Sequence, residues 1–315
     1  MQFELQEGQI KSAKKVVIYS VEGFGKSTWA STFPSPIFID TEGSTKEMQV
    51  RRLPKPTSYQ MLRSEIQAII QNQYEIKTLV IDTLDWAETL IVNHICEMHG
   101  KNGIEAFGYG NGYSYLNEEM NRFLMLLDRV IDVGVNVVLA CHAQIRKFEQ
   151  PDEMGAYDRY ELKLGKKTTA QTAPLVKEWA DMVLFGNYKT MSVAADDKGK
   201  KHKAQGGQKF LYTVHHPCWD AKNRYGLPEM IPFDFTYNAI AHCIPNDMGL
   251  PGPIQQTVQP LNPQITNEID NAINQLVEDG KNLQSFDISD DSNDLQGVPK
   301  ALADLMMANN VTKED

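Results

Sequence analysis

One run of eight residues, Ser20-Val21-Glu22-Gly23-Phe24-Gly25-Lys26-Ser27, constrains this chain more than any other. It follows an apolar run, Lys15–Ser20, suited to a buried strand, and it leads into a helical pattern over 25–32. Glycines in such a turn let backbone N–H groups curl around phosphate oxygens, and the helix start adds the positive end of a dipole. A lysine placed directly after the turn reaches the outer phosphates, and the hydroxyl that follows can ligate a magnesium ion. The spacing predicts a phosphate cradle made by Glu22, Gly23, Phe24, Gly25, Lys26, Ser27 and Thr28.

This is the pattern of a P-loop except at its first position, where Ser20 stands in place of the usual glycine. A magnesium site there needs a second carboxylate. Thr78-Leu79-Val80-Ile81-Asp82 supplies one at the end of another apolar strand, and in a parallel sheet that is the end where ligands bind. Ser27 and Asp82 are the expected metal ligands. Asp85, three residues on, is the expected cap of the next helix. Hydrolysis also needs a group that orients or deprotonates water. The second strand, Pro36–Asp40, ends in Asp40-Thr41-Glu42, so Glu42 is the first choice for that role and Asp40 the alternate.

Further along, helical patterns cover 58–71, 85–98 and 114–133, and a fourth strand covers 135–141. Nearly all-apolar strands alternating with helices predict an α/β fold, a mostly parallel sheet with helices on both faces. Lys101–Tyr113 reads as a glycine- and aromatic-rich loop, and 142–170 as a polar one. A short helix is expected over 172–180, then paired strands at 181–188 and 209–215 around a polar excursion at 192–207.

The order of these motifs resembles the RecA-like ATPase core, and most closely the phage-encoded AAA-type nucleotide-binding proteins associated with recombination and single-strand annealing. The residues that carry the likeness are EGFGKST (22–28), FIDTEGS (38–44), FGYGNGY (107–113), LACHA (139–143) and AKNRYGLPE (221–229). It covers roughly 12–240. The resemblance implies ATP and Mg²⁺ as ligands, a catalytic Glu42, a polar sensor at His142 or Gln144, and a cation pair, Lys222 and Arg224, inserted into a neighbouring copy's site. It also implies self-association into a ring or filament, and single-stranded DNA held by two loops. In the first loop the candidates are Phe107, Tyr109 and Tyr113. In the second they are Arg146, Lys147, Phe148, Arg159 and Lys163. Aromatic rings can stack on bases while cations follow phosphates.

Charge leaves that partner open. The net charge of −10 is concentrated in 251–315, which hold 11 acidic and 3 basic residues. A body nearly neutral over 1–245 and a flexible acidic tail over 246–315 are expected, with short helices near 265–280 and 299–309. The tail is a candidate hook for a single-strand-binding or replication protein. The N-terminal residues lack the apolar core of a secretory signal. The four cysteines form no CxxC pair, and no apolar stretch is long enough for a membrane helix. These features predict a cytoplasmic protein (the host's cytoplasm if phage-encoded). The rival readings are a RecA-fold helicase, disfavoured by the short segment before Lys15, and a nucleotide-dependent scaffold. A zinc site around His215, His216 and Cys218 has unsuitable spacing.

Overall fold

In chain order the elements are β1 (Lys15–Ser20), α1 (Lys26–Ala30), β2 (Pro36–Asp40), β3 (Arg51–Arg52), α2 (Tyr59–Ile70), β4 (Thr78–Asp82) and α3 (Leu84–Met98). There follow α4 (Asn111–Asp132), β5 (Asn136–Glu149), β6 (Ala156–Leu162), α5 (Thr172–Trp179), β7 (Met182–Ala194), β8 (His202–Tyr212) and β9 (Met230–Pro232). They come from a computed structural model that describes residues 7–8, 11–71, 74–149, 155–165, 171–194 and 202–245. The expected acidic tail and its two short helices lie outside the described residues.

Among the described residues the strands run β3-β2-β4-β5-β1-β7-β8-β9, and β6 pairs with β5. The strands from β3 through β7 are parallel to their neighbours, and β7-β8-β9 is antiparallel. The pleat sorts the apolar runs onto two faces. Val17, Tyr19, Ile39, Ile81, Leu139 and Phe185 pack with α2, α3, α4 and α5. Val16, Ile18, Phe38, Val80, Val138 and Leu184 pack on the other face with Trp29 and Phe33 of the α1 region and with Ile240 and Ile244. Both faces are covered, which is why these strands show no polar alternation. Local chemistry sets some boundaries: Ser58 caps α2 by accepting the Met61 N–H at 3.1 Å.

Three stretches depart from the sequence reading. The paired strands expected at 181–188 and 209–215 reach into the polar excursion between them, since β7 runs to Ala194 and β8 starts at His202. The polar segment after Cys141 is no simple loop: β5 continues to Glu149 and turns back as β6, an antiparallel hairpin. The Lys101–Tyr113 loop contains short 3-10 turns at Ile104–Ala106 and Gly108–Gly110, and α4 already begins at Asn111. Polar residues outweigh apolar ones after Cys141 and in the 192–207 excursion, and Lys101–Tyr113 is rich in glycine. Pairing and packing with distant parts of the chain decide the conformation, and local periodicity does not record them.

Glu65 is buried on the core side of α2, and neither carboxylate oxygen has a hydrogen-bond partner. Burial pushes its pKa up to about 7. Between the usual carboxylate value and that pH, the folded state holds a proton that the unfolded state has released. Stability therefore falls as pH rises through the window. Glu65→Met is expected to stabilise the protein by about 2 kcal/mol at pH 8 and by much less at pH 5. Denaturant unfolding at the two pH values reads the difference, and an equal gain at both would remove ionisation as its cause.

Candidate active site

Strand register brings the polar strand ends into one row. Asp40 lies opposite Asp82, Asp82 opposite Ala140, and Ser20 opposite His142. All are at the C-terminal edge of the parallel strands. A cavity of about 450 Å³ opens there, lined by Glu22, Gly23, Gly25, Lys26, Ser27, Thr28, Glu42, Ser44, Met48, Asp82, Thr83 and His142.

The glycine turn is fixed from behind by Phe24. That side chain is fully buried and packs on Phe233 with ring centroids 4.3 Å apart. It passes so close to Gly186 that a Cβ there would fall 2.5 Å from its ring, so β7 needs glycine at that point. The Lys209 ammonium donates to the Phe24 carbonyl oxygen at 2.6 Å. As a cradle residue, then, Phe24 offers a ligand only its backbone, because its side chain is needed to anchor the loop. Gly25 takes φ 110°, a left-handed conformation that costs a side-chain-bearing residue energy, and α1 starts directly after it.

Lys26 is 7% exposed, and its ammonium donates to the Ser20 hydroxyl at 3.3 Å. The serine that departs from the usual motif therefore provides the resting partner of the lysine. Burial lowers the Lys26 pKa, and the nearby Asp82 opposes that effect. Asp82 is itself buried. Burial pushes its pKa up to about 6, partly countered by a hydrogen bond with the Ser27 side chain. One of its oxygens, Oδ2, has no hydrogen-bond partner. A desolvated carboxylate oxygen with a free lone pair beside a serine hydroxyl fits a hard cation and its water shell.

The two carboxylates after β2 separate cleanly. Asp40 accepts from the N–H groups of Gly43 (2.6 Å), Ser44 (3.2 Å) and Thr45 (2.9 Å) and from the Thr45 hydroxyl (2.6 Å). Burial alone would raise its pKa, but these bonds outweigh it and the value is lowered. Asp40 shapes the loop. Glu42, two residues on, lines the cavity.

His142 also lines the cavity, and Asp85 holds it: the ring Nδ1 and the backbone N–H lie 2.9 Å and 3.1 Å from the carboxylate. Burial would raise the Asp85 pKa, and the bonds from His142 reverse the direction. This corrects the expected capping role, since Thr83 occupies the N-cap position of α3 and Asp85 sits in its first turn. The competing sensor Gln144 donates its amide to the carbonyls of Leu162 (2.8 Å) and Leu164 (3.4 Å). Sequence reasoning also missed Glu88, whose buried carboxylate accepts from the Gly165 N–H at 2.9 Å and the Thr172 hydroxyl at 2.5 Å. A signal was present. Asp82, Asp85 and Glu88 recur every third residue, and within α3 that spacing places Asp85 and Glu88 on one face.

Lys222 and Arg224 stand apart from this cavity. Lys222 pairs with Val183 of β7, three residues before the Gly186 that flanks Ser20, which is roughly 10 Å along the strand. Its ammonium donates to the Glu178 carbonyl at 3.3 Å, and Arg224, largely exposed, lies 3.7 Å from Asp181. Neither lines the cavity.

The proposed nucleic-acid residues divide sharply. Phe107 and Tyr113 are buried, at 8% and 5% exposure, which corrects their assignment to base stacking. Arg159 is corrected too. It is buried in an ion pair with Asp220, which also takes Lys177 at 2.6 Å, and its guanidinium lies over the Phe148 ring at 4.9 Å. Phe148 packs against Tyr157 across the hairpin, and Arg146 donates to the carbonyls of Leu164 and Gly165. Tyr109, Lys147 and Lys163 remain exposed. Arg159 found a partner 61 positions away, whereas Phe107 meets His99 and Tyr115 and the Tyr113 hydroxyl meets Glu105 nearby.

Among the described residues no group of three or more His, Cys, Asp or Glu is arranged to hold a metal ion, and no helix is long and apolar enough to cross a membrane. The His216 ring stacks on Trp219 at 4.0 Å. Comparison with curated proteins gives no match. The family described as AAA domain matches residues 12–225, from β1 through the Lys222–Arg224 pair. With the matched stretch exceeding half its length, and with the glycine-rich turn, strand-end carboxylates and covered parallel sheet inside it, the chain belongs to the AAA domain family of nucleotide-binding ATPases.

Proposed function

We propose that the chain is a Mg²⁺-dependent ATPase of RecA-like type that works on single-stranded DNA in phage recombination or strand annealing. It acts as an assembly with ATP at the boundaries between copies. The observation that carries the ATPase reading is the convergence of Lys26, Ser27, Glu42, Asp82 and His142 on one cavity. Ser27 and Asp82 would hold the magnesium ion, which supplies charge neutralisation to the phosphates. Lys26 leaves Ser20 and places its ammonium on the outer phosphate oxygens. Glu42 takes the proton of the attacking water, since both oxygens of Asp40 are committed to the loop. Asp85 fixes one ring nitrogen of His142, leaving Nε2 free to meet the terminal phosphate. Lys222 and Arg224, lying away from their own cavity, suit a role in a neighbour's, where a cation offsets charge developing on the transferred group.

Support for a DNA partner comes from strand continuity. β5 carries His142 at the cavity and Lys147 further out, beyond the sheet's parallel part, with exposed Lys163 just after β6. The rate of ATP hydrolysis is expected to rise several-fold with single-stranded DNA and little with duplex. Equal rates with and without DNA would leave a nucleotide-dependent scaffold as the better reading.

A further inference from the structure

We infer that the exposed part of the Phe235 ring is the platform on which the base of the bound nucleotide stacks. This inference rests on the nucleotide reading above and adds a subsite to it. Phe235 is 41% exposed, although Phe233, against which it packs, and Phe24 behind Phe233 are buried. It takes φ 63°, a left-handed conformation that bulky residues seldom adopt without support. The support is visible on each side. The Thr236 N–H and hydroxyl both donate to Asp234 Oδ1 at 2.9 Å. The Tyr237 N–H donates to the Thr32 hydroxyl at 3.0 Å, and the Phe33 and Tyr237 rings lie 4.9 Å apart. Lys209 sits over the Phe235 ring at 4.7 Å, and the Phe233 ring lies 4.9 Å away.

The turn 234–237 is thus clamped along the segment that begins at the phosphate cradle. At one end Tyr237 holds Thr32. At the other the Phe235 ring lies against Gly25, where an added Cβ would fall 2.7 Å from it. Terminal phosphate is taken toward Lys26, Glu42 and His142. Gly25 and exposed Thr28 line the same cavity, and the inferred path of the nucleoside runs past them. A rigid, half-exposed aromatic ring touching Gly25 meets a flat base on that path. Every base has a π face, so the platform holds the base without selecting its hydrogen-bonding edge.

The test compares Mg-ATP with inorganic tripolyphosphate plus Mg²⁺, which shares the phosphate chain and lacks the base, by calorimetric titration of the full chain. Phe235→Ala is expected to weaken ATP roughly tenfold and leave tripolyphosphate unchanged, while Phe235→Tyr keeps both affinities. A parallel loss of both ligands in Phe235→Ala would mean that the ring only braces Gly25, and would overturn the inference. So would unchanged ATP affinity in a variant that still binds tripolyphosphate. If the unsubstituted protein binds tripolyphosphate and ATP equally, the base has no platform, and the inference falls while the phosphate cradle stands. If it binds neither, the nucleotide reading itself fails.

Discussion

Lys26→Ala is expected to lower the rate of ATP hydrolysis by about three orders of magnitude and to weaken nucleotide binding as well. Two losses combine. The ammonium proposed to face the phosphates is gone, and Asp82 loses a nearby cation that favours its charged form. The carboxylate of Asp82, already pushed up to about 6 by burial, then holds its proton more readily and offers a poorer metal ligand. The fold should survive, because the variant also removes a desolvated charge from a site where it is 7% exposed. Phosphate release under saturating ATP, with a melting curve as control, measures the effect. A rate within tenfold of the unsubstituted protein would show that this cation does not act on the transferred phosphate.

Glu42→Gln should lose turnover by about 10²- to 10⁴-fold while keeping nucleotide affinity, since the amide keeps the shape of the side chain and removes the base. Asp40→Asn provides the contrast. Asp40 accepts four hydrogen bonds within its loop, so an amide there would turn an N–H toward a donor and cost about 1–3 kcal/mol of stability. The pair of variants separates a chemical role from an architectural one. Normal hydrolysis by Glu42→Gln would move water activation to another group.

The strands were legible in the sequence because they are buried on both faces. An unbroken run such as KVVIYS or TLVID has one stable home, the middle of a covered parallel sheet. The glycine turn was legible for a related reason, since the strand before it, the glycines and the helix start all lie within one short run. What stayed hidden depends on pairs far apart in the chain. Asp85 meets His142 across 57 positions, and Arg159 meets Asp220 across 61. Local pattern cannot report such partners, so a helix cap and a phosphate-binding cation were expected where ion pairs stand. Phe107 and Tyr113 show a different limit. Their glycine-rich surroundings suggest an open loop, yet both rings turn inward onto the core.

The anchoring of Phe24 sets the entropic terms on which a ligand meets the glycine turn. Fixing the backbone of one residue costs about 1–2 kcal/mol. At Phe24 that cost is met during folding, by burial of the ring against Gly186 and Phe233 and by Lys209 on its carbonyl oxygen. An arriving phosphate chain therefore has little disorder to remove at this point of the turn. Its affinity reflects the contacts it makes, with little deducted for organising the loop that makes them.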